Sequence, residues 1–512
     1  MPLSIGAIDA VVLLFSVAAS ITIGLRLSGK NDSVEAYLVG NRNLPWWAIL
    51  GSIVATETST ATVLSVPGIA YGPVGMRFLQ IALGYLVGRL VVVHLLLPLF
   101  FQGKLFSAYE VLDKRFGLVV KMAASLMFLV ARNLGDGLRL FLAAIVLQKL
   151  VGWNFAASAI TIGVMTILYT YFGGMKSVIW NDCIQFVIYM FGAIATVYVV
   201  STQITGGWHA FWEFADQHSK LTVLQFSPDA DDSRSWWLWL LTEPYTFYAG
   251  LLGGAVLTLG THGTDQMMVQ RYLSARSQRD AARAILLSAV VVLIQFSLFL
   301  FIGVQFACFY SQQPGVVFDK TDEVYAHFLI HSFPRDTGLV GLMLAAILAA
   351  AMSTLSSSLN ASASAILNDF YLPLKSTPTS PARLLTITRR LSLVFGILQT
   401  MIGIWAVTFD ASVVSNALTI AGYSAGLLLG LFLLGVFTKS VTGSQALVAA
   451  ACGMAMLLFV QFALPAMTQS VTHVSGIRVA WPWFALIGSS TTFSVGCTLA
   501  AVPNIFTRGN TP

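Results

Sequence analysis

The chain has 512 residues, of which 57% are hydrophobic and 10% charged, and its mean hydropathy is +0.79. A soluble domain carries about a quarter charged residues to wet its surface, so a water-soluble globule is excluded and the outer face must meet lipid. The net charge of +6 is interleaved with apolar runs and forms no single patch, which excludes a nucleic-acid footprint and reads as a topology signal.

In chain order, the apolar runs predict thirteen helical spans, at 5–26, 45–66, 77–101, 119–149, 154–172, 178–202, 236–260, 281–309, 337–368, 387–408, 412–437, 444–466 and 480–503. Each is long enough to cross a bilayer as a helix, and the alternation of a barrel strand is missing. The first run lacks a basic flank and a cleavage site, so it reads as an extra helix and not as a secretory signal. Alternate connections differ in charge. One side holds Arg26, Lys30, Arg42, Lys104, Lys114, Arg115, Lys121, Lys176, Arg271, Arg276, Arg279, Arg283, Lys375, Arg383, Arg389, Arg390, Lys439 and Arg508. The other holds Arg77, Lys149, Lys220, Arg234, Lys320, Arg335 and Arg478. The positive-inside rule makes the first side cytoplasmic, with the N-terminus outside and the C-terminus inside. Cys183, Cys308, Cys452 and Cys497 are scattered, which supports neither a disulfide framework nor a zinc site.

Two spans are broken by polar residues. The second carries Thr56–Thr62, and the seventh carries glycines and polar residues from Gly253 to Gln266. They lie five spans apart, and matched interruptions point to two structurally repeated halves with a site between them. The expected division of the single transporter domain, 1–512, is an extra helix and linker at 5–44, a first repeat at 45–202, a second at 236–437 and two final helices at 444–503. An ordinary helix whose hydroxyls bond back to the preceding turn is the alternative at each break. The ninth span places Ser353, Ser356, Ser357 and Asn360 on one face. Such a ladder serves either a monovalent cation or close helix packing. Ionisable groups at membrane depth are functional candidates because burying them is costly: Glu57, Arg89, Arg132, Asp136, Arg139, Asp182 and Asp265. Arg132, Asp136 and Arg139 share a helical face, where they can neutralise one another or meet a carboxylate.

Four segments carry a family resemblance: Arg42–Trp47; Tyr169, Thr170, Gly173, Gly174 and Trp180–Asp182 with Gln185; Gly263–Arg276; and Met352–Asn360. In this order and on these spans, the chain resembles the sodium/solute symporter family over essentially its whole length. The resemblance implies an all-α integral membrane protein with about 13 transmembrane helices, a LeuT-like five-plus-five inverted repeat with one N-terminal and two C-terminal extra helices. It implies one or two sodium ions. The first would be held by the carbonyls of Ala55, Thr58 and Ala350 and the hydroxyls of Ser353 and Thr354. A second would use Asp182 with Ser353, Ser356 and Ser357. The implied solute region offers Glu57, Thr58, Ser59, Thr62, Gln80, Arg132, Asp136, Arg139, Tyr248, Thr261 and Thr264. Glu57 departs from the small polar or amide residue of many relatives, which unsettles any transfer of sugar, proline or iodide specificity.

The expected function is sodium-coupled import of a small polar organic solute, whether a sugar, a carboxylate or a related metabolite, by alternating access. A passive channel or a solute sensor is the alternative. No HExxH motif or nucleophile–base pair marks an enzyme, and His262 is the one histidine near a helix break. No appended signalling or nucleotide-binding module is expected. The expected partners are the solute and the lipid bilayer, without nucleic acid or an obligatory protein partner, in a bacterial inner membrane.

Overall fold

The computed structural model describes residues 6–29, 32–103, 105–375, 378–408, 413–472 and 476–501. Lys30, Lys104 and Arg508 of the charge comparison, residue 5 of the first expected span, residues 409–412 of the second half and residues 502–503 of the last span lie outside the described residues. Helices dominate: α1 (Ala7–Ser28), α2 (Val34–Val39), α3 (Trp46–Glu57), α4 (Thr60–Tyr71), α5 (Leu79–Val91), α6 (Leu118–Val151), α7 (Phe155–Gln203), α8 (Gly254–Gly263), α9 (Gln266–Leu273), α10 (Gln278–Ser311), α11 (Leu339–Ala365), α12 (Pro381–Trp405), α13 (Val413–Phe437), α14 (Gly443–Leu458) and α15 (Trp483–Ala501). No strand occurs among the described residues, only an isolated bridge between Leu44 and Ala275.

Nine helices among the described residues are long and apolar enough to cross a membrane, ten if α3 and α4, bent by 58°, form one broken span. Length alone therefore does not reach the expected thirteen, because several expected spans are interrupted or fused. The seventh, expected at 236–260, is divided between Trp236–Thr242 and the run of Ala249–Gly253 with α8, while the eleventh, expected at 412–437, is the 25-residue α13. The fifth and sixth are fused in α7, whose 49 residues would extend roughly 70 Å if straight, over twice the thickness of a hydrocarbon core. It turns at Gly174, where φ is 55° and ψ is −160°. A Cβ there would sit 2.7 Å from the Tyr37 carbonyl oxygen. Replacing Gly174 with Ala is expected to cost about 1–3 kcal/mol, read as a lowered melting temperature in detergent. Gly135→Ala is the control, since its Cβ would meet nothing within 4 Å. Equal melting of the two variants would show that the corner relaxes freely.

Helix α11 lies at the centre, packed against α7, α1, α12 and α6, and nearly all its residues are buried. Its Ala and Ser side chains allow this, because helices in lipid associate by close packing of small residues. The end of α4 and the start of α5 are tied by a loop. Lys220 donates to the carbonyls of Tyr71 and Gly72 at the end of α4, at 2.9 and 2.6 Å. Arg77 pairs with Asp229 at 3.1 Å.

Candidate functional site

Helix α3 stops because the Ser59 N–H donates to the Glu57 carbonyl at 3.1 Å instead of continuing the helical pattern to Ala55. Thr58 takes φ −84° and ψ 86°, and Ser59 is extended before α4 restarts. The final carbonyls of α3 and the first N–H groups of α4 thus lose helical partners deep in the bundle. Helix α11 meets this break with hydroxyls: Thr354 Oγ1 donates to the carbonyls of Thr56 at 3.3 Å and Ala350 at 3.4 Å. Ala55, Thr58, Ala350, Ser353 and Thr354 are all buried. The structure therefore brings the elements bearing the five expected ligands of the first sodium to one α3–α11 contact. Freed carbonyls beside hydroxyls are what a hard monovalent cation requires.

Two of the four residues expected to hold a second sodium, Asp182 and Ser357, meet a guanidinium. Asp182 accepts from Ser52 at 2.5 Å and Ser353 at 2.6 Å. Arg271, on α9, lies 3.3 Å from the same carboxylate. Its Nη2 also donates to the hydroxyls of Thr56 and Ser357, its Nε to Ser52 at 2.9 Å and its Nη1 to the Met267 carbonyl at 2.6 Å. Ser356 donates to the Ser353 carbonyl at 3.1 Å. Both Asp182 and Arg271 are fully buried. This corrects the placing of Arg271 among cytoplasmic loop charges: α9 restarts after the seventh-span break and keeps residue 271 inside the bundle. Lys121 is a second such case. It is buried beside Asp369, which accepts from Ser107 at 2.9 Å and Ser125 at 2.8 Å.

A cavity of about 150 Å³ lies against the α3–α4 break. Its polar wall comprises Thr56, Glu57, Ser59, Thr62, Arg132, Arg139, Thr258, Thr261 and His262, and its apolar wall includes Val66, Phe78, Tyr85, Met267, Met268 and Phe296. Glu57 reaches the cavity already paired. Arg89 Nη2 lies 2.5 Å from both carboxylate oxygens, and Arg89 Nη1 donates to Ser288 at 2.5 Å. His262 Nε2 lies 3.3 Å from Glu57 Oε1. Around the two arginines of the wall, Asp136 pairs with Arg139 and lies 3.7 Å from Arg132, while Arg132 also pairs with Asp265. Asp265 caps α9 by accepting the Met267 N–H at 2.8 Å. The cluster expected on one helical face therefore also crosses to the seventh-span break. Each of these carboxylates, buried at Asp136 and mostly covered at Glu57 and Asp265, faces a guanidinium, which is how charge is tolerated at this depth.

Of the expected solute contacts, Glu57, Ser59, Thr62, Arg132, Arg139 and Thr261 line this cavity. Thr264 lines an adjoining space of about 30 Å³ that shares Arg132, Arg139 and Thr261. Gln80 and Tyr248 do not line either cavity. Gln80 donates to the carbonyls of Arg77 and Tyr245 and accepts the Gln225 N–H at 3.0 Å, fastening the loop that carries Gln225. Tyr248 stacks edge-on with Trp236 and Phe247. Sequence reasoning named Arg89 and His262 without joining them to Glu57, since their meeting depends on tertiary packing.

The model of the sodium:solute symporter family matches residues 37–453. The human sodium/iodide cotransporter is 29% identical over 454 residues, covering 88% of this chain and 68% of that protein. The sodium/sialic acid symporter SiaT of Proteus mirabilis is 29% identical over 451 residues, 86% of this chain and 87% of its own. Mouse sodium-coupled monocarboxylate transporter 2 is 30% identical over 423 residues, 82% of this chain and 66% of its own. Among solved structures, a substrate-bound, outward-open Na⁺-coupled sialic acid symporter superposes with a TM-score of 0.82 at 26% identity, over 97% of this chain and 98% of that one. Mhp1, a nucleobase-cation-symport-1 family transporter, shares the fold at a TM-score of 0.52 and 11% identity, over 91% and 94% of the two chains. The architecture is LeuT-like.

Proposed function

The chain belongs to the sodium:solute symporter family, and from that premise we propose that it imports a small carboxylate-bearing solute by alternating access. It is a multi-pass membrane transporter that couples solute movement to sodium. The observation that supports a carboxylate is the pair Arg132 and Arg139 lining the central cavity. Arg139 bonds Asp136 through Nη1 and leaves its buried Nε without a partner among the described residues. A guanidinium edge of this kind matches a carboxylate in geometry and charge. The relatives named for iodide, sialic acid and monocarboxylates all carry anions, in keeping with this reading.

Sodium would bind at the α3–α11 contact through Ala55, Thr58, Ala350, Ser353 and Thr354. Each sodium entering at 100 mV contributes about 2.3 kcal/mol from the voltage alone. Because Arg271 stands among the oxygens of Asp182, Thr56 and Ser357, the reading is one sodium per solute. The charge asymmetry of the connections supports an external N-terminus and a cytoplasmic C-terminus, and a bacterial inner membrane is the proposed location. The repeats are proposed at 45–202 and 236–437.

Uptake into proteoliposomes under an imposed sodium gradient tests the reading, with carboxylates, neutral sugars and amines as solutes. Carboxylates should accumulate, and Arg139→Gln should lower their apparent affinity about ten-fold or more, the loss expected for one charge-assisted contact. Sodium-driven accumulation of neutral sugars with no response to carboxylates would overturn it.

A further inference from the structure

We infer that Gln295 of α10 is a positioning residue for the coupling sodium, its amide holding the Thr58 turn in the shape that frees the ligand carbonyls. The inference rests on the sodium site read at the α3–α11 contact and adds a third helix to it.

The argument begins at Thr58. Of the five expected ligands it contributes a backbone carbonyl, so its side chain is available for another task. Thr58 Oγ1 donates to the Val54 carbonyl at 2.8 Å. The same carbonyl already accepts the Thr58 N–H at 3.0 Å. A threonine that bonds back four residues favours a bend, and here α3 ends at the residue before it. The Ser59 N–H turns to Glu57, so the Ala55 carbonyl loses the helical partner that Ser59 would have supplied. Whatever fixes the Thr58 side chain therefore fixes the turn on which both the Ala55 and Thr58 carbonyls depend.

That group comes from α10, which packs against α3. The Thr58 hydroxyl has one proton and donates it to Val54, so from any other partner it can only accept. Gln295 Nε2 is the donor. The pattern thus settles which end of the amide faces Thr58: its nitrogen. Gln295 and Thr58 are both buried, out of reach of bulk water. Gln295 Oε1 has no hydrogen-bond partner among the described residues, a cost that a methionine of similar length would avoid. Stability alone does not account for an amide here, whereas holding Thr58 does. Gln295 lines neither of the two adjoining cavities, although the next residue, Phe296, lines the larger one. The amide acts on the ion turn and not on the solute.

The test titrates sodium chloride against choline chloride and reads thermal stabilisation of the purified protein in detergent, with sodium itself as the probe. Gln295→Met should raise the half-saturating sodium concentration about five-fold or more, the scale of one hydrogen bond lost. Gln305→Met is the control. It removes another buried amide of α10, one that bonds the Val197 carbonyl at 3.4 Å, and should stay within about two-fold of wild type. Thr58→Val keeps the carbonyl but removes the hydroxyl, so it should raise the concentration by a similar factor, and adding Gln295→Met to it should change it by less than about two-fold. A merely structural amide would lower the melting temperature without sodium and leave the sodium response alone. An unchanged sodium response in Gln295→Met, an equal rise in Gln305→Met, or independent effects of Gln295→Met and Thr58→Val overturns the inference and leaves the sodium site standing. Should Gln295→Met fail to fold, Thr58→Ser against Thr58→Val decides: the serine variant keeps the hydroxyl and should respond as wild type, and equal responses of the two overturn the inference. If sodium fails to stabilise the wild type, or stabilises a Ser353→Ala, Thr354→Ala double variant equally well, the site itself falls and the inference with it.

Discussion

Alanine at both Ser353 and Thr354 is expected to raise the sodium concentration for half-maximal uptake by ten-fold or more. The reason is local. Helix α3 ends at Glu57 and turns through Thr58, so carbonyls that a continuous helix would occupy face α11. Thr354 touches that break at 3.3 Å, and Ser353 lies beside it on the same helix. A hydroxyl bound to a charged partner contributes about 1.5–3 kcal/mol, and every 1.4 kcal/mol is ten-fold in affinity. Ser353 also donates to Asp182 at 2.6 Å, so part of any defect could pass through that carboxylate. Ser52→Ala separates the two effects, because Ser52 donates to Asp182 at 2.5 Å and is not among the expected sodium ligands. It should leave sodium dependence within about two-fold of wild type if the cation lies at the α3–α11 contact. A double alanine variant with normal folding and unchanged sodium dependence would remove the proposed cation site.

The helical membrane architecture was legible because lipid demands long apolar runs and internal backbone pairing, and both are written in composition. The two broken spans were legible for a related reason: Thr56–Thr62 and Gly253–Gln266 interrupt those runs with residues that hydrophobicity cannot explain. Pairings across the bundle were not legible. Arg271 follows an apolar span by position and reads as a loop charge, yet it is fully buried against Asp182. The Glu57–Arg89 pair joins residues 32 apart, and Asp265 meets Arg132 from 133 residues away. Helical spacing predicts neighbours three and four residues apart, so it found Arg132, Asp136 and Arg139 and stopped there. Gln80 and Tyr248 failed to reach the cavity for the same reason: alignment to a span says nothing of which partner a loop supplies, and Gln225 and Trp236 took them.

Asp182→Asn and Arg271→Gln are each expected to destabilise the protein by about 3–5 kcal/mol, the usual penalty for leaving one member of a buried ion pair uncompensated. Both side chains are fully buried. Arg271 also holds Ser52, Thr56 and Ser357 in one network, so losing Asp182 strands a guanidinium whose remaining partners are neutral. The double variant removes both charges and should recover much of the loss, giving a coupling energy well outside additivity. Thermal melting in detergent, with each variant measured without sodium, reads this directly. The same pair bears on stoichiometry. With the guanidinium among these oxygens, a second sodium would have to displace a cation already bonded there. Wild-type uptake should therefore rise with sodium at a Hill coefficient near one. A coefficient near two, together with an Asp182→Asn variant that folds normally and drops to one, would make Asp182 a sodium ligand and Arg271 a side chain that moves aside for the ion. Normal folding with no change in sodium response would leave the pair without either role.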